Sequence, residues 1–304
     1  MWFACAVATA LIWGVAELLY KKGAHPDEQY AHLKICVCVG GVMGVHALFT
    51  LLTQDIAFDP VNLLRYLPVS LLYIFSMTFS FFGMRFLEES VSDPIENTSG
   101  AICSLLCVIF LKETLSLPSV IAIGIIAVGV VGVGYLEKGR ETPEKKKIGR
   151  GMAFAAFCMP FLYALLDAFG SFLDVFYLED PISTPLVGVT EETIEQVANT
   201  CYEITFAVFA LILFVFLKVR KVTFDLPKQG DKLFAAVCET AGQFTYVYAM
   251  SGNGAISAPI LSSVCVVSLL LSRFFLKEKL SVKQYVFIFL VIVGILLLAV
   301  AEEL

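Results

Sequence analysis

Ten runs of mostly apolar residues follow one another along this chain, each about as long as the ~20 residues a membrane-spanning helix needs. They lie near 2–20, 34–53, 66–87, 91–111, 118–136, 151–177, 199–217, 232–250, 255–276 and 283–301. No water satisfies a backbone amide inside a bilayer, so each run is held to a helix and the set to a bundle. Composition agrees, with 59% of residues hydrophobic and 16% charged, where a soluble domain has ~45–50% and ~25%. The expectation is an all-α integral membrane protein of ten transmembrane helices. The first run has no basic leader and ends in Lys21–Lys22, so it reads as a retained helix, not a cleaved signal.

Lys and Arg orient the spans. Of the 21, nineteen fall in alternate connections, and only Arg65 and Lys112 fall on the other side. The basic side is expected in the cytoplasm, with both termini outside and the protein in the plasma (inner) membrane. The loop at 178–198 has no Lys or Arg but carries Glu179, Asp180, Glu191, Glu192 and Glu195, which suits the outside. Within it, Thr190-Glu191-Glu192 reads as a helix N-terminus, a capping hydroxyl followed by acids against the positive end of the dipole. The stretch 137–150 is a polar cytoplasmic linker. Its Lys145–Lys147 run is a cytoplasm-facing loop, and no nucleic-acid partner is expected.

One segment is written twice, as FLKETLS at 110–116 and FLKEKLS at 275–281. At the same offset of 165, Ser92 meets Ser257, Pro94 meets Pro259, Ile95 meets Ile260 and Gly129 meets Gly294, without a gap. Chance gives scattered Leu and Ile matches in apolar sequence, but rarely Pro, Lys-Glu, Ser and Gly in one register. The chain therefore divides into a first five-helix repeat at 1–136 and a second at 151–304. Five is odd, so the second copy is inverted in the membrane. Inverted repeats are a recurring plan of secondary transporters, with the substrate held between the halves near the midplane.

Ten spans, the five-plus-five repeat, Trp13–Gly14 and the two P…FLKE-LS segments resemble the drug/metabolite transporter superfamily, EamA type. The resemblance covers essentially the whole chain. It implies transport of amino acids, amines, choline, nucleosides, sugar derivatives or drugs. Termini outside depart from the arrangement drawn for many members, and the acidic loop is longer than the usual connection.

A carboxylate at the centre of a membrane helix costs ~2.5–3.5 kcal/mol on insertion scales, and so marks function by default. The acids at that depth are Glu17, Glu96, Asp167, Asp174, Glu203 and Glu239, with His46 beside them in the second span. At an offset of 150, Trp13 meets Tyr163 and Glu17 meets Asp167. Each repeat thus places a ring four residues before an acid, on one helical face. Glu239, Gln243 and Tyr246 form a second stripe. Glu96 follows Pro94, where a missing backbone donor favours an irregular helix start. Substrate binding is assigned to Trp13, Glu17, Glu96, Tyr163, Asp167, Glu239, Gln243 and Tyr246, and proton coupling to Glu17, Asp167 and Glu239. The plain alternatives are headgroup anchoring for Glu17 and Asp167, a wetted helix start for Glu96, and a satisfied buried acid for Glu239.

Acids ringed by aromatics suit a cation, since a ring face attracts an ammonium group. The expected function is alternating-access transport of a small organic cation or amine, with the same acids available to carry protons. A lipid or lipid-linked head-group flippase is the first alternative, and export of neutral amino acids, nucleosides or drugs the second. The nine cysteines all lie in apolar runs and none forms C-x-x-C, so they read as packing. No metal or other cofactor is expected. With no H-x-x-x-H or D-x-x-D constellation in a loop, the chain does not read as an enzyme.

Overall fold

The computed structural model describes residues 1–24, 28–54, 56, 58–86, 95–137, 150–179, 182–275 and 281–303. Among them the regular structure is entirely helical. The helices are α1 (Trp2–Gly23), α2 (Ala31–Thr53), the short α3 (Val61–Arg65), α4 (Leu67–Gly83), α5 (Ser99–Leu106), α6 (Leu117–Glu137), α7 (Arg150–Leu178), α8 (Ile194–Val219), α9 (Gly230–Leu261), α10 (Val264–Phe275) and α11 (Val282–Glu303). Four are long and apolar enough to cross a membrane: α1, α2, α7 (over Phe154–Leu178) and α8. The pair α9 and α10, bent by 46°, passes the same test together. The helices Leu67–Gly83, Ser99–Leu111, Leu117–Gly132 and Val282–Leu298 are apolar but shorter. The outer faces of α2, α8 and α11 carry bare hydrocarbon such as Val45, Leu48, Phe49, Leu211, Ile212 and Phe289, while many serines, threonines and acids turn inward.

Three boundaries differ from the sequence reading. The expected turn between residues 250 and 255 is a kink inside α9. It is centred on Asn253, whose φ of −165° and ψ of 86° are extended. Ser257 Oγ donates to the Ala249 carbonyl at 2.7 Å across the kink. Pro259 has no N–H to give the Ala255 carbonyl four residues back, and Ser104 of α5 supplies a hydroxyl there instead. The span expected at 255–276 is instead broken at 262–263. The helix expected to start at Thr190 starts at Ile194, because residues 190–193 first close a turn in which Thr190 N–H donates to Thr193 Oγ1 at 2.9 Å.

The doubled heptapeptide has a local role. In the first copy α5 ends in a π turn, Cys107–Leu111, and Lys112 takes the left-handed conformation (φ 59°) that stops it. Ser116 then caps α6, its Oγ accepting from Ser119 N–H at 3.2 Å. In the second copy residues 276–280 lie outside the described residues. Ser281 caps α11 in a reciprocal box, with Gln284 N–H on Ser281 Oγ at 3.3 Å and Ser281 N–H on Gln284 Oε1 at 2.8 Å. The final serine of each copy thus starts the next helix.

Helices pair mainly between the two halves of the chain: α1 with α9, α2 with α8, α4 with α7, and α6 with α11. At the last crossing a Cβ on Gly129 would stand 2.5 Å from Val291 and 3.1 Å from the Phe287 carbonyl. A Cβ on Gly294 would stand 2.6 Å from Ile126 and 3.1 Å from the Ala122 carbonyl. Adding 165 to 129, 126 and 122 gives 294, 291 and 287. The two half-contacts are images of one another, and small residues there let the backbones touch.

The end of the bundle that gathers the basic residues is tied by Glu28. Its carboxylate accepts from Lys34 at 2.7 Å and from Lys232 at 2.6 Å, and both lysines are buried. Arg85 turns inward here, donating to the Glu28 carbonyl at 2.9 Å. Burial alone would raise the Glu28 carboxyl, but the hydrogen bonds from Lys232 and Lys34 outweigh it and hold it below the usual range. Glu28→Gln leaves two buried ammonium groups short of a counter-charge and should cost about 3 kcal/mol, read as a lower unfolding midpoint in detergent. A lowered folded-state pKa gives stability that is present above the unfolded value, ~4.3, and is lost as pH falls through the folded one. The gap between wild type and variant should therefore close in acid. A gap that persists there would show that the charge is not its cause.

Candidate functional site

A cavity lies among α1, α4, α5, α7, α8 and α9, enclosing about 1060 Å³ of space with its mouth included. It occupies the half of the bundle nearer the basic end. Tyr73, Ser171 and Tyr246 form its deep wall, and Met84 and Glu96 mark its shallow end. Trp13, Glu17, Glu96, Tyr163, Asp167, Glu239, Gln243 and Tyr246, the eight side chains singled out from the sequence, all line it. Four carboxylates therefore face one space, and among the described residues no Lys, Arg or His lines it.

Local structure explains how they meet. Trp13 and Glu17 are one turn apart on α1, and Tyr163 and Asp167 one turn apart on α7. Glu239, Gln243 and Tyr246 follow one stripe of α9, all of them buried. The Trp13 ring stacks on Tyr246, with centroids 5.2 Å apart and planes at 29°. Its Nε1–H donates to the Glu239 backbone carbonyl at 3.2 Å. A Cβ on Gly242 would collide with that ring, so the glycine makes the space the indole fills. Tyr20 O–H donates to Glu239 Oε2 at 3.4 Å, and Ser80 Oγ donates to Glu96 Oε2 at 2.8 Å. Pro94 lies outside the described residues. Just after it, Thr98 folds back on the Ile95 carbonyl, and regular helix begins at Ser99.

Sequence reasoning passed over Tyr20, Tyr73, Ser80, Ser171 and Tyr202, which also line the cavity. Tyr20 was legible as the next turn of the Trp13–Glu17 face, and Ser171 as the turn after Asp167. Tyr202 carried no signal beyond its neighbour Glu203. Three other intramembrane groups lie elsewhere. Glu203 is fully buried between α8 and α2, with His46 Nδ1 at 2.8 Å and Asn199 Nδ2 at 3.1 Å. Asp174 is buried deeper along α7, bonded to Tyr66. Among the described residues no group of three His, Cys, Asp or Glu side chains is set to hold a metal.

The EamA-like transporter family matches residues 1–135 and 182–300. The chain belongs to that family. As an EamA-like protein it is a membrane transporter of the drug/metabolite type, a multi-pass protein of the lipid bilayer with a small-molecule substrate. This is a family of transporters, not of enzymes. A search of the curated proteins finds no match. Among solved structures 28 chains match. One is the crystal structure of another protein, which superposes on 99% of this EamA-like chain and 98% of its own with a TM-score of 0.69 at 13% identity. At that identity the likeness shows the fold alone.

Gly242→Val should push Trp13 out of its stack on Tyr246, at a cost of about 1–3 kcal/mol for overpacking. The chain has two tryptophans, so in a Trp2→Phe background the emission of Trp13 reports the move directly. A red shift is expected as the ring enters the cavity. Unchanged emission would mean that Gly242 does not set the position of the ring.

Proposed function

We propose that this protein is a secondary transporter of a small organic cation or amine, working by alternating access between two inverted halves. The observation that carries the substrate class is the lining of the cavity. Glu17, Glu96, Asp167 and Glu239 face it beside Trp13, Tyr20, Tyr73, Tyr163 and Tyr246, and among the described residues no basic side chain does. An ammonium group supplies the charge this wall lacks and can also stand over its rings, where a desolvated contact is worth ~2 kcal/mol. A phosphate head group would meet only repulsion, which argues against a lipid or lipid-linked flippase. Neutral solutes would bring no positive charge to a wall that holds four carboxylates.

Three findings support the inverted halves. The helix pairing is unchanged when the halves 1–136 and 151–304 are exchanged, and the contacts at Gly129 and Gly294 are copies of each other. The family also matches two separate stretches of the chain. In this reading 137–150 is the linker, the basic end faces the cytoplasm and both termini face outward. The cavity then sits on the cytoplasmic side. Glu17, Asp167 and Glu239 remain the groups proposed to exchange a proton for the cargo, because a carboxylate that holds either one couples their movements.

The test is a thermal-shift screen of purified protein against choline, spermidine, leucine, uridine and glucose 6-phosphate. Choline or spermidine should raise the midpoint, and Glu239→Gln or Asp167→Asn should abolish the shift. A shift with glucose 6-phosphate alone would overturn the cation reading.

A further inference from the structure

Past the deep wall of the cavity lies a carboxylate that the cavity does not use. Asp174 stands seven residues beyond Asp167 on α7, about 10 Å along the helix axis and on nearly the same face. Its side chain is fully buried. One carboxylate oxygen accepts from Tyr66, and the other has no hydrogen-bond partner among the described residues. Between the two acids runs a layer of hydroxyls. Tyr73 and Tyr246 each stand 3.2 Å from Ser171 Oγ and hydrogen-bond to one another. On the far side, α3, which leads into Tyr66, is tied into a cap with residues 185–187. Asn62 clamps the Val187 backbone through bonds of 3.0 and 2.9 Å, Tyr177 O–H donates to the Arg65 carbonyl at 2.8 Å, and Arg65 reaches the Pro185 carbonyl.

A buried acceptor left open is costly, so an open carboxylate oxygen this deep calls for an explanation. The open oxygen of Asp174 wants a donor, and the groups around it repeat the chemistry of the cavity: a carboxylate, tyrosine rings and a serine. We propose that Asp174, with Tyr66 and Ser171, is a second cation subsite, occupied by the ammonium cargo when the tyrosine layer parts and the cap lifts. The inference rests on the cation reading of the cavity. It adds a stop on the acidic side, so that the cargo passes from one carboxylate to the next and is never left in a hydrocarbon wall without a counter-charge.

The subsite is tested by sided transport. The full chain is placed in right-side-out and in inside-out vesicles, and saturable uptake of radiolabelled choline and of spermidine is measured from each face. Asp174→Asn should raise KM about tenfold from the acidic face and leave KM from the basic face within about twofold. Asp167→Asn should raise KM from the basic face. Equal KM values on both faces in Asp174→Asn, or a fall in maximal rate alone, would overturn the subsite while leaving the cavity reading intact. Absence of saturable uptake of both probes by the wild type would instead sink the cavity reading, and the subsite with it. If Asp174→Asn does not fold, Tyr66→Phe keeps the ring and removes the donor. A rise in KM confined to the acidic face then supports the subsite, and an unchanged KM overturns it.

Discussion

A carboxylate carried into a bilayer must find its company within the protein, and six acids in this chain impose that demand on everything around them. Four of them show how it is met, mostly by groups from other helices. Tyr20 closes on the Glu239 carboxylate, Ser80 on Glu96, His46 on Glu203 with Asn199 of the same helix, and Tyr66 on Asp174. These partners work only if the helices lie close, so small residues recur where the polar interior is assembled. Gly242 beside Trp13 and Gly100 beside Ser262 are two such places. The apolar surface is what remains once the polar groups have turned inward, and it faces lipid at no cost.

Much of this was legible in the sequence because the bilayer removes alternatives. Runs of hydrocarbon must be helices, and an acid within one needs a reason. Spacing of four residues put Trp13 with Glu17 and Tyr163 with Asp167, and no tertiary information was needed for either pair. Sequence could not say which acids share a space. Asp167 and Asp174 lie on one face of one helix, yet a layer of three hydroxyls separates them. Glu203 looked like its peers and belongs to a different interface. Such partitions depend on how helices from the two halves cross, and no local pattern encodes a crossing.

The irregular places were the hardest to read. Asn253 kinks α9 where a loop was expected, since Ser257 and Ser104 take up carbonyls that the kink and Pro259 release. A helix can therefore continue through residues whose composition, Ser-Gly-Asn-Gly, reads as a turn. The same hydroxyls line the middle of the bundle, so irregular backbone and polar interior arise from one set of residues. The doubled heptapeptide held a different lesson. Its charges drew attention, but its serine does the defined local work, as the cap of the helix that follows.

The crossing of α6 and α11 has a consequence for motion. In the proposed exchange of shapes between two inverted halves, a contact between unlike helices, such as α1 against α9, would turn into its counterpart α4 against α7, and both would be remade. The contact at Gly129 and Gly294 is its own counterpart. It would enter and leave such an exchange unchanged and could stay locked throughout. On that proposal the close backbone approach at these glycines is a bearing, a fixed line about which the rest could turn without unpacking it.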